Sequence, residues 1–143
     1  MRRGDIVTIV LPGANGKTRP ALVMQSDYFA ALGSVTVLPV TSELRAAPLL
    51  RIGIDPDASN GLRKKSQVMI DKTHTVPRDK IGAVIGKLHA DTLVAVERAL
   101  AVFLGIAWLE RIATPYAAKL WHRRGLARQS GHSGSNQRLM NSC

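Results

Sequence analysis

A lysine and a threonine follow a glycine in the stretch IVLPGANGKTRPALVMQ, residues 9–25, and the same three residue types end the phosphate-binding loop of many nucleotide-binding proteins. Such a loop needs a second glycine five positions before the first, and then a helix whose N-terminus faces the phosphate. That position holds Leu11, and Pro20 biases Arg19 toward an extended backbone. The stretch therefore predicts two strands and a Gly/Asn-rich hairpin loop, which brings Lys17 and Arg19 to one end of a sheet.

The chain of 143 residues carries a formal net charge of +10. Such a charge favours a polyanionic partner, either nucleic acid or a membrane surface, over a neutral metabolite. Hydrophobic residues make up 45% of the chain, which indicates a folded domain rather than disorder. A single cysteine, Cys143, argues against a disulfide framework or a thiolate metal site and is typical of a reducing cytosol.

No secretory signal precedes the first strand pattern. The longest apolar run, LAVFLGIAWL, is about half of the roughly 20 residues that a membrane-spanning helix needs. We therefore expect a soluble, cytoplasmic protein without a membrane partner.

Short β-type runs separated by Gly, Pro, Asn and Asp fill the chain as far as Pro77: DIVTIVL, PALVMQ, SVTVLPVT, LLRIGI, SQVMID and THTVP. Five or six short strands close together predict a small barrel. Ser26 can cap one or two helical turns inserted between the second and third strands, and Gly33 can end them.

The hydrophobic period changes in HADTLVAVERALAVFLGI, which predicts a helix with Asp91 as its N-cap and Gly105 as its stop. One face of this helix would be apolar and pack on the barrel: Leu93, Val96, Leu100 and Phe103. The predicted fold class is mostly β (α+β), a small barrel with a short inserted helix and a C-terminal packing helix.

A resemblance to a known family runs through RRGDIVTIVLPGANGKTRPALVMQSD, VTVLPVTSE, SQVMIDKTHTVPRDKIGAVIGKL and the closing helix. Over residues 2–106 the chain resembles the MazF/PemK (Kid) toxins of type II toxin–antitoxin modules. The resemblance implies an SH3-like barrel, a homodimer and a metal-independent endoribonuclease that cuts single-stranded RNA at short sequences. It also implies inhibition by a cognate antitoxin protein, and it implies no cofactor.

The resemblance also implies which residues do the chemistry. The family's catalytic arginine lies in an RP motif after the first hairpin and falls on Arg19. Its threonine ends the third strand and falls on Thr41, with Ser42 beside it. Kinship with Kid points to Asp71. Met69 stands where Kid has an arginine, and this departure favours chemistry built on the arginine and the threonine.

These residue types suit RNA cleavage in which the 2′-OH attacks its own phosphate. Arg19 would stabilise charge on the phosphate, because a guanidinium stays charged and its fork matches two phosphate oxygens. It is a poor proton donor for the same reason. Thr41 could bond a phosphate oxygen or position the 2′-OH, and Asp71 is the candidate base unless it only holds Arg19 in place.

RNA positioning is expected from further side chains, two of them in the basic loop NGLRKKS of residues 60–66: Lys17, Arg63, Lys64, Lys72 and His74. Cations on phosphates provide affinity and salt dependence, while stacking and base edges provide sequence choice. Aromatic residues are only 4% of the chain, so stacking would fall to His74 or an arginine plane.

Ordinary explanations remain open for these residues. Arg19 could be a surface arginine beside a hairpin, and Asp71 could merely pair with Lys72 or a neighbouring arginine. Two other functions stay open as well, a CcdB-like poison of DNA gyrase on the same barrel and a non-catalytic RNA-binding module. The histidines lack ligand spacing, so no metal site is expected.

The chain divides into a predicted toxin domain, residues 1–106, and a basic, partly disordered C-terminal extension, residues 107–143. The extension carries six Lys or Arg side chains beyond residue 107 against the single Glu110. It could be an arm for RNA or the antitoxin, or have no role of its own. Its position beyond the length that the family pattern needs favours the second.

Overall fold

The computed structural model describes residues 1–13 and 15–107. This part of the chain forms seven strands and one α-helix: β1 (Asp5–Val10), β2 (Thr18–Val23), β3 (Ser34–Thr41), β4 (Arg51–Ile54), β5 (Ser66–Met69), β6 (His74–Pro77), β7 (Ile81–Lys87) and α1 (Ala90–Phe103). Two short 3₁₀ turns, Asp27–Phe29 and Arg78–Lys80, precede β3 and β7. The predicted extension beyond residue 107 lies outside the described residues.

All strand pairs are antiparallel, in the order β4, β5, β3, β2, β1, β7. Strand β6 lies beside the first half of β3, and β5 lies beside its end. The sheet curls like a barrel but does not close, because β4 and β7 are the two ends of the strand order. The predicted mostly β fold, with a short inserted helix and a C-terminal helix, is confirmed.

Strands β1 and β2 form the predicted hairpin and not a phosphate-binding loop, since Thr18 begins β2 and Arg19 pairs with Ile9 of β1. Its loop contains Gly13 and Gly16 at φ +79° and +71°. Residues with a side chain rarely adopt these φ values, so the two glycines permit the turn.

Two apolar clusters form the core, because successive strand residues point to opposite faces of the sheet. The first cluster packs under α1 and includes Ile6, Leu22, Leu38, Val68, Ile70 and Val96. The second lies on the other face and includes Val7, Ile9, Val23, Val35, Val37 and Val76. Apolar side chains packed on both faces of the sheet stabilise the strands that carry the candidate functional residues.

Helix α1 follows the predicted apolar pattern with two differences. Val96 is fully buried, with Leu93 and Leu100 packed against the same cluster, but Phe103 is 46% exposed. The N-cap is His89 and not Asp91, because the His89 backbone is extended while its carbonyl accepts from the Leu93 N–H. Asp91 lies in the first turn instead, where a negative charge interacts favourably with the helix dipole.

Strand β7 is the element that the sequence pattern did not predict. Two glycines interrupt its apolar pattern and allow close approach to neighbours, Gly82 to the Thr8 side chain and Gly86 to the Asn60 backbone. Within the described residues, no helix combines the length and apolar character needed to cross a membrane.

Candidate active site

Arg19 and Thr41 meet at one end of the sheet. Ala21 of β2 pairs with Pro39 of β3. Because the strands are antiparallel, Arg19, two residues before Ala21, and Thr41, two residues after Pro39, lie at the same end of this pair and on the same face. Both residues line a cleft of about 320 Å³, which we call the Arg19 cleft. Its other lining residues are Pro20, Val40, Ser42, Leu62, Arg63, Lys64 and Ser66.

Thr41 is oriented by a local turn. Its Oγ1 accepts a hydrogen bond from the Glu43 N–H at 3.1 Å, just beyond the end of β3. A threonine hydroxyl has one proton to donate besides its acceptor positions. With Oγ1 already accepting, the proton is free to be donated to an anion in the cleft.

The basic loop that supplies Arg63 and Lys64 is anchored by the buried side chain of Asn60. The Asn60 Nδ2 donates to the Asp55 carbonyl at 2.8 Å, and its Oδ1 accepts from the Leu62 N–H at 3.0 Å. Since a buried amide is costly unless its hydrogen bonds are made, this network fixes the loop on the sheet. Two cations of this loop therefore line the same cleft as Arg19 and Thr41.

A second anchor of this loop joins it to the start of α1. The Asp57 carboxylate accepts from the Ser59 hydroxyl at 2.6 Å and contacts His89 Nε2 at 2.7 Å. The hydrogen bond from Ser59, followed by that from the Asn60 N–H, holds the pKa of Asp57 well below its usual range. Asp57 is thus ionised at neutral pH and holds the loop through its hydrogen bonds.

Asp71 does not line the Arg19 cleft. It forms an ion pair with Arg51 of β4 and lies 3.7 Å from the Lys72 Nζ. Partial burial acts to raise the pKa of Asp71, but the hydrogen bond and the charge of Arg51 outweigh it and hold the pKa below its usual value. The arginine that Asp71 holds is Arg51 and not Arg19. These contacts match the ordinary explanation, pairing with Lys72 and a neighbouring arginine, and the catalytic role stays a prediction.

Arg51 is the partner that sequence reasoning missed. It lies directly across from Met69 in the register of β4 and β5, and its side chain is only 8% exposed. Its Nη1 also donates to the Leu50 carbonyl at 2.8 Å, while its buried Nε has no partner. A single arginine in LLRIGI gives no sign of this contact, since its partner lies twenty residues away.

The structure therefore brings together five of the nine predicted site residues: Arg19, Thr41, Ser42, Arg63 and Lys64. The remaining predicted RNA contacts lie outside the cleft lining. Lys17 is exposed in the hairpin loop, Lys72 is exposed between β5 and β6, and His74 begins β6 opposite Val37. In residues 1–13 and 15–107, no three His, Cys, Asp or Glu side chains are grouped as metal ligands would be.

A small, curled antiparallel sheet with an arginine, a hydroxyl and a cationic loop around one cleft defines the class, a barrel-like β protein with a basic cleft. The model of the PemK-like, MazF-like toxins of type II toxin–antitoxin systems matches residues 2–104. The chain belongs to this family.

Proteins and solved structures that are similar to this chain carry names from the same family. The chain is 51% identical over 108 residues to the probable endoribonuclease MazF of Mycolicibacterium smegmatis, an alignment that covers 75% of this chain and 99% of that protein. The Mycobacterium tuberculosis toxin MazF-mt6 superposes with a TM-score of 0.63 at 30% identity, over 73% of this chain and 99% of that one. A MazE–MazF structure from Deinococcus radiodurans superposes with a TM-score of 0.60 at 26% identity, over 73% and 96%. The predicted family and its enzyme class, endoribonuclease, are confirmed.

Proposed function

We propose that this chain is a toxin that cuts single-stranded RNA at short sequences without a metal ion. The observation that carries the proposal is the Arg19 cleft, which combines a guanidinium, a free hydroxyl proton and two loop cations. The endoribonuclease name of a relative with 51% identity supports the same reaction.

In the proposed reaction the 2′-oxygen attacks the adjacent phosphorus while the bond from phosphorus to the 5′-oxygen breaks. The products are a 2′,3′-cyclic phosphate and a 5′-hydroxyl, so the 2′-OH loses a proton and the departing 5′-oxygen gains one. Arg19 stabilises the extra negative charge on the phosphate, and Thr41 donates a hydrogen bond to one of its oxygens. The nucleophile belongs to the RNA itself, so this reaction does not need a metal-activated water.

Asp71 is the predicted acceptor of the 2′-OH proton. Its lowered pKa makes it a weak base at neutral pH, and it lies outside the cleft lining. Both facts support the alternative, in which Asp71 holds a neighbouring arginine rather than removing a proton.

RNA is held in this proposal by the cations of the basic loop, Arg63 and Lys64, and beyond the cleft by Lys17, Lys72 and His74. We also propose a homodimer in the cytoplasm, where RNA is available, with residues 1–106 as the toxin domain and 107–143 as an extension. A cognate antitoxin inhibits it, which the MazE–MazF complex of a relative supports.

The test is cleavage of a long single-stranded RNA by the purified protein in excess EDTA, with analysis of the fragment ends, beside Arg19→Ala. We expect 5′-hydroxyl and cyclic phosphate ends that disappear in the variant, while much of the RNA affinity is retained. Intact RNA across varied sequences would overturn the proposal. Cutting that needs an added divalent ion would overturn its metal independence.

A further inference from the structure

The side-chain amide of Gln67 is bonded at both ends to the backbone of one residue, Arg45. Gln67 Oε1 accepts from the Arg45 N–H at 2.9 Å, and Gln67 Nε2 donates to the Arg45 carbonyl at 3.1 Å. A carboxamide carries one acceptor and a donor group in the same plane, so it pairs with a peptide group as a neighbouring strand would. We call this pair of bonds the Gln67 clamp.

The clamp lies where strand pairing ends. Thr41 pairs with Gln67 across β3 and β5, and beyond Thr41 the chain leaves the sheet as the connection to β4. The first residue of that connection, Ser42, lines the Arg19 cleft, as does Ser66, the neighbour of Gln67. The clamp therefore joins the two cleft walls that β3 and β5 supply.

The other contacts near Thr41 in this connection link residues that are close in sequence. The Glu43 N–H donates to Thr41, and the Arg45 guanidinium pairs with Glu43 at 3.1 Å. That ion pair is mostly exposed, and exposed pairs of this kind contribute little to stability. The far end of the connection is held by the Ile70 N–H, which donates to the Leu50 carbonyl at 3.0 Å. Near Thr41, the tether to β5 comes from Gln67, 22 residues further along the chain than Arg45.

We propose that Gln67 is a positioning residue for the nuclease reaction, an inference that rests on the proposed function. By fixing Arg45 it holds the turn that orients the Thr41 hydroxyl toward the scissile phosphate. The cations that hold RNA lie on a separate loop with its own anchor at Asn60. Loss of the clamp therefore lowers the rate of the chemical step and leaves RNA binding nearly unchanged.

The sharpest variant is Gln67→Glu, which keeps the size of the side chain and an acceptor for the Arg45 N–H. It replaces the donating amide by a carboxylate oxygen that faces the Arg45 carbonyl, so one of the two bonds becomes repulsive. Gln67→Ala removes both bonds.

Gln25 provides a matched control. Its amide also bonds two backbone groups, accepting from the Thr36 N–H at 3.2 Å and donating to the Phe29 carbonyl at 3.0 Å. It lies beyond the end of β2, whereas Arg19 lies near the start of that strand. Gln25→Glu thus makes the same chemical change far along the sheet from the Arg19 cleft.

We expect both Gln67 variants to lower kcat by roughly ten- to hundredfold, the scale on which small misplacements act, with KM within about twofold. Gln25→Glu should keep kcat near that of the wild type. Adding Gln67→Glu to Thr41→Ala should cost little further activity, because the clamp acts through Thr41. A full further loss in the double variant would indicate a general structural effect and overturn the proposal.

Hydrogen exchange of the Arg45 amide tests the clamp without any RNA. Gln67→Ala, which removes the acceptor of the Arg45 N–H, should speed exchange at Arg45 and leave the amides of β1 unchanged, and an unchanged Arg45 rate would overturn the clamp. If the wild type cuts RNA and Gln67→Glu cuts it equally well, the positioning role alone is overturned. A wild type that cuts no RNA overturns the proposed function and, with it, that role.

Discussion

At the scale of single residues, the Thr41 hydroxyl already uses one of its two positions for accepting a hydrogen bond. Its Oγ1 accepts from the Glu43 N–H, so a second lone pair and the proton remain, and of these only the proton can bond a phosphate oxygen. We predict that Thr41→Val, which keeps the shape and loses the proton, lowers kcat by about 10²-fold, as expected for loss of one donor to a developing oxyanion. Single-turnover cleavage assays measure the effect.

Thr41→Ser is the control for that prediction, since it keeps the hydroxyl and should retain most of the rate. Equal rates for Thr41→Val and the wild type would contradict the assigned donor.

The ion pair of Asp71 with Arg51 predicts a pH-dependent stability. Because the folded pKa of Asp71 is lowered, its contribution is present above the unfolded pKa, about 3.9, and is lost as pH falls through the folded value. At pH 7, Asp71→Asn should lower the free energy of unfolding by about 2–3 kcal/mol, since it leaves the nearly buried Arg51 without a counter-charge. Urea unfolding of both proteins between pH 7 and pH 3 should show the difference shrinking toward acid.

Glu43→Gln breaks an exposed pair and serves as the control, with an expected change below about 1 kcal/mol. A difference between Asp71→Asn and wild type that stays constant down to pH 3 would show that the carboxylate charge is not what stabilises this contact.

Residue types and family resemblance were enough to single out Arg19, Thr41 and the basic loop, which the structure places around one cleft. They did not predict Arg51 or Gln67. Each of these makes its contact with a residue about twenty positions away in the sequence. Strand register, which the sequence leaves open, decides such contacts.

At the scale of elements, sequence runs that alternate or are strongly apolar predicted six of the strands. Strand β7 was not predicted, because two glycines needed for close packing interrupt its apolar pattern. Gly86 lies against the backbone of Ser59 and Asn60, at the base of the loop that carries Arg63 and Lys64. Gly86 fits this position because it has no side chain, and the hydrophobic periodicity of a sequence does not reveal such a requirement. The same glycine therefore links an edge strand to the cleft.

Substitution of this glycine tests the link. A Cβ at Gly86 would overlap the Asn60 carbonyl, so Gly86→Ala should lower the free energy of unfolding by about 1–3 kcal/mol, the usual range for overpacking. It should also weaken RNA binding, since the loop must shift. Gly53→Ala in β4 is the matched control, because a Cβ there meets no atom within 4 Å.

Thermal unfolding and binding to a 2′-O-methyl RNA, which cannot be cut, measure the two effects. If Gly86→Ala unfolds like Gly53→Ala, the close packing of β7 on the loop is not a constraint.

At the scale of the whole molecule, the net charge of +10 attracts any polyanion, but only some of it lies at the cleft. Lys64 lines the Arg19 cleft, whereas Lys87 of β7 lies across from Asp5 in the strand register, at the end of β1 away from Arg19. Replacing either lysine by glutamine removes the same charge from the molecule. The pair therefore separates local contact with RNA from general attraction.

We predict that Lys64→Gln makes the plot of log K against log salt concentration shallower by about 0.7, the value for one phosphate contact on a single strand. Lys87→Gln should leave that slope unchanged and lower affinity only slightly, at low salt, because its charge acts through screened solvent. Titrations of 2′-O-methyl RNA over a series of salt concentrations measure both slopes. Equal changes in the two variants would mean that RNA is held by the charge of the whole protein surface, and the cleft would then account for the chemistry without accounting for the affinity.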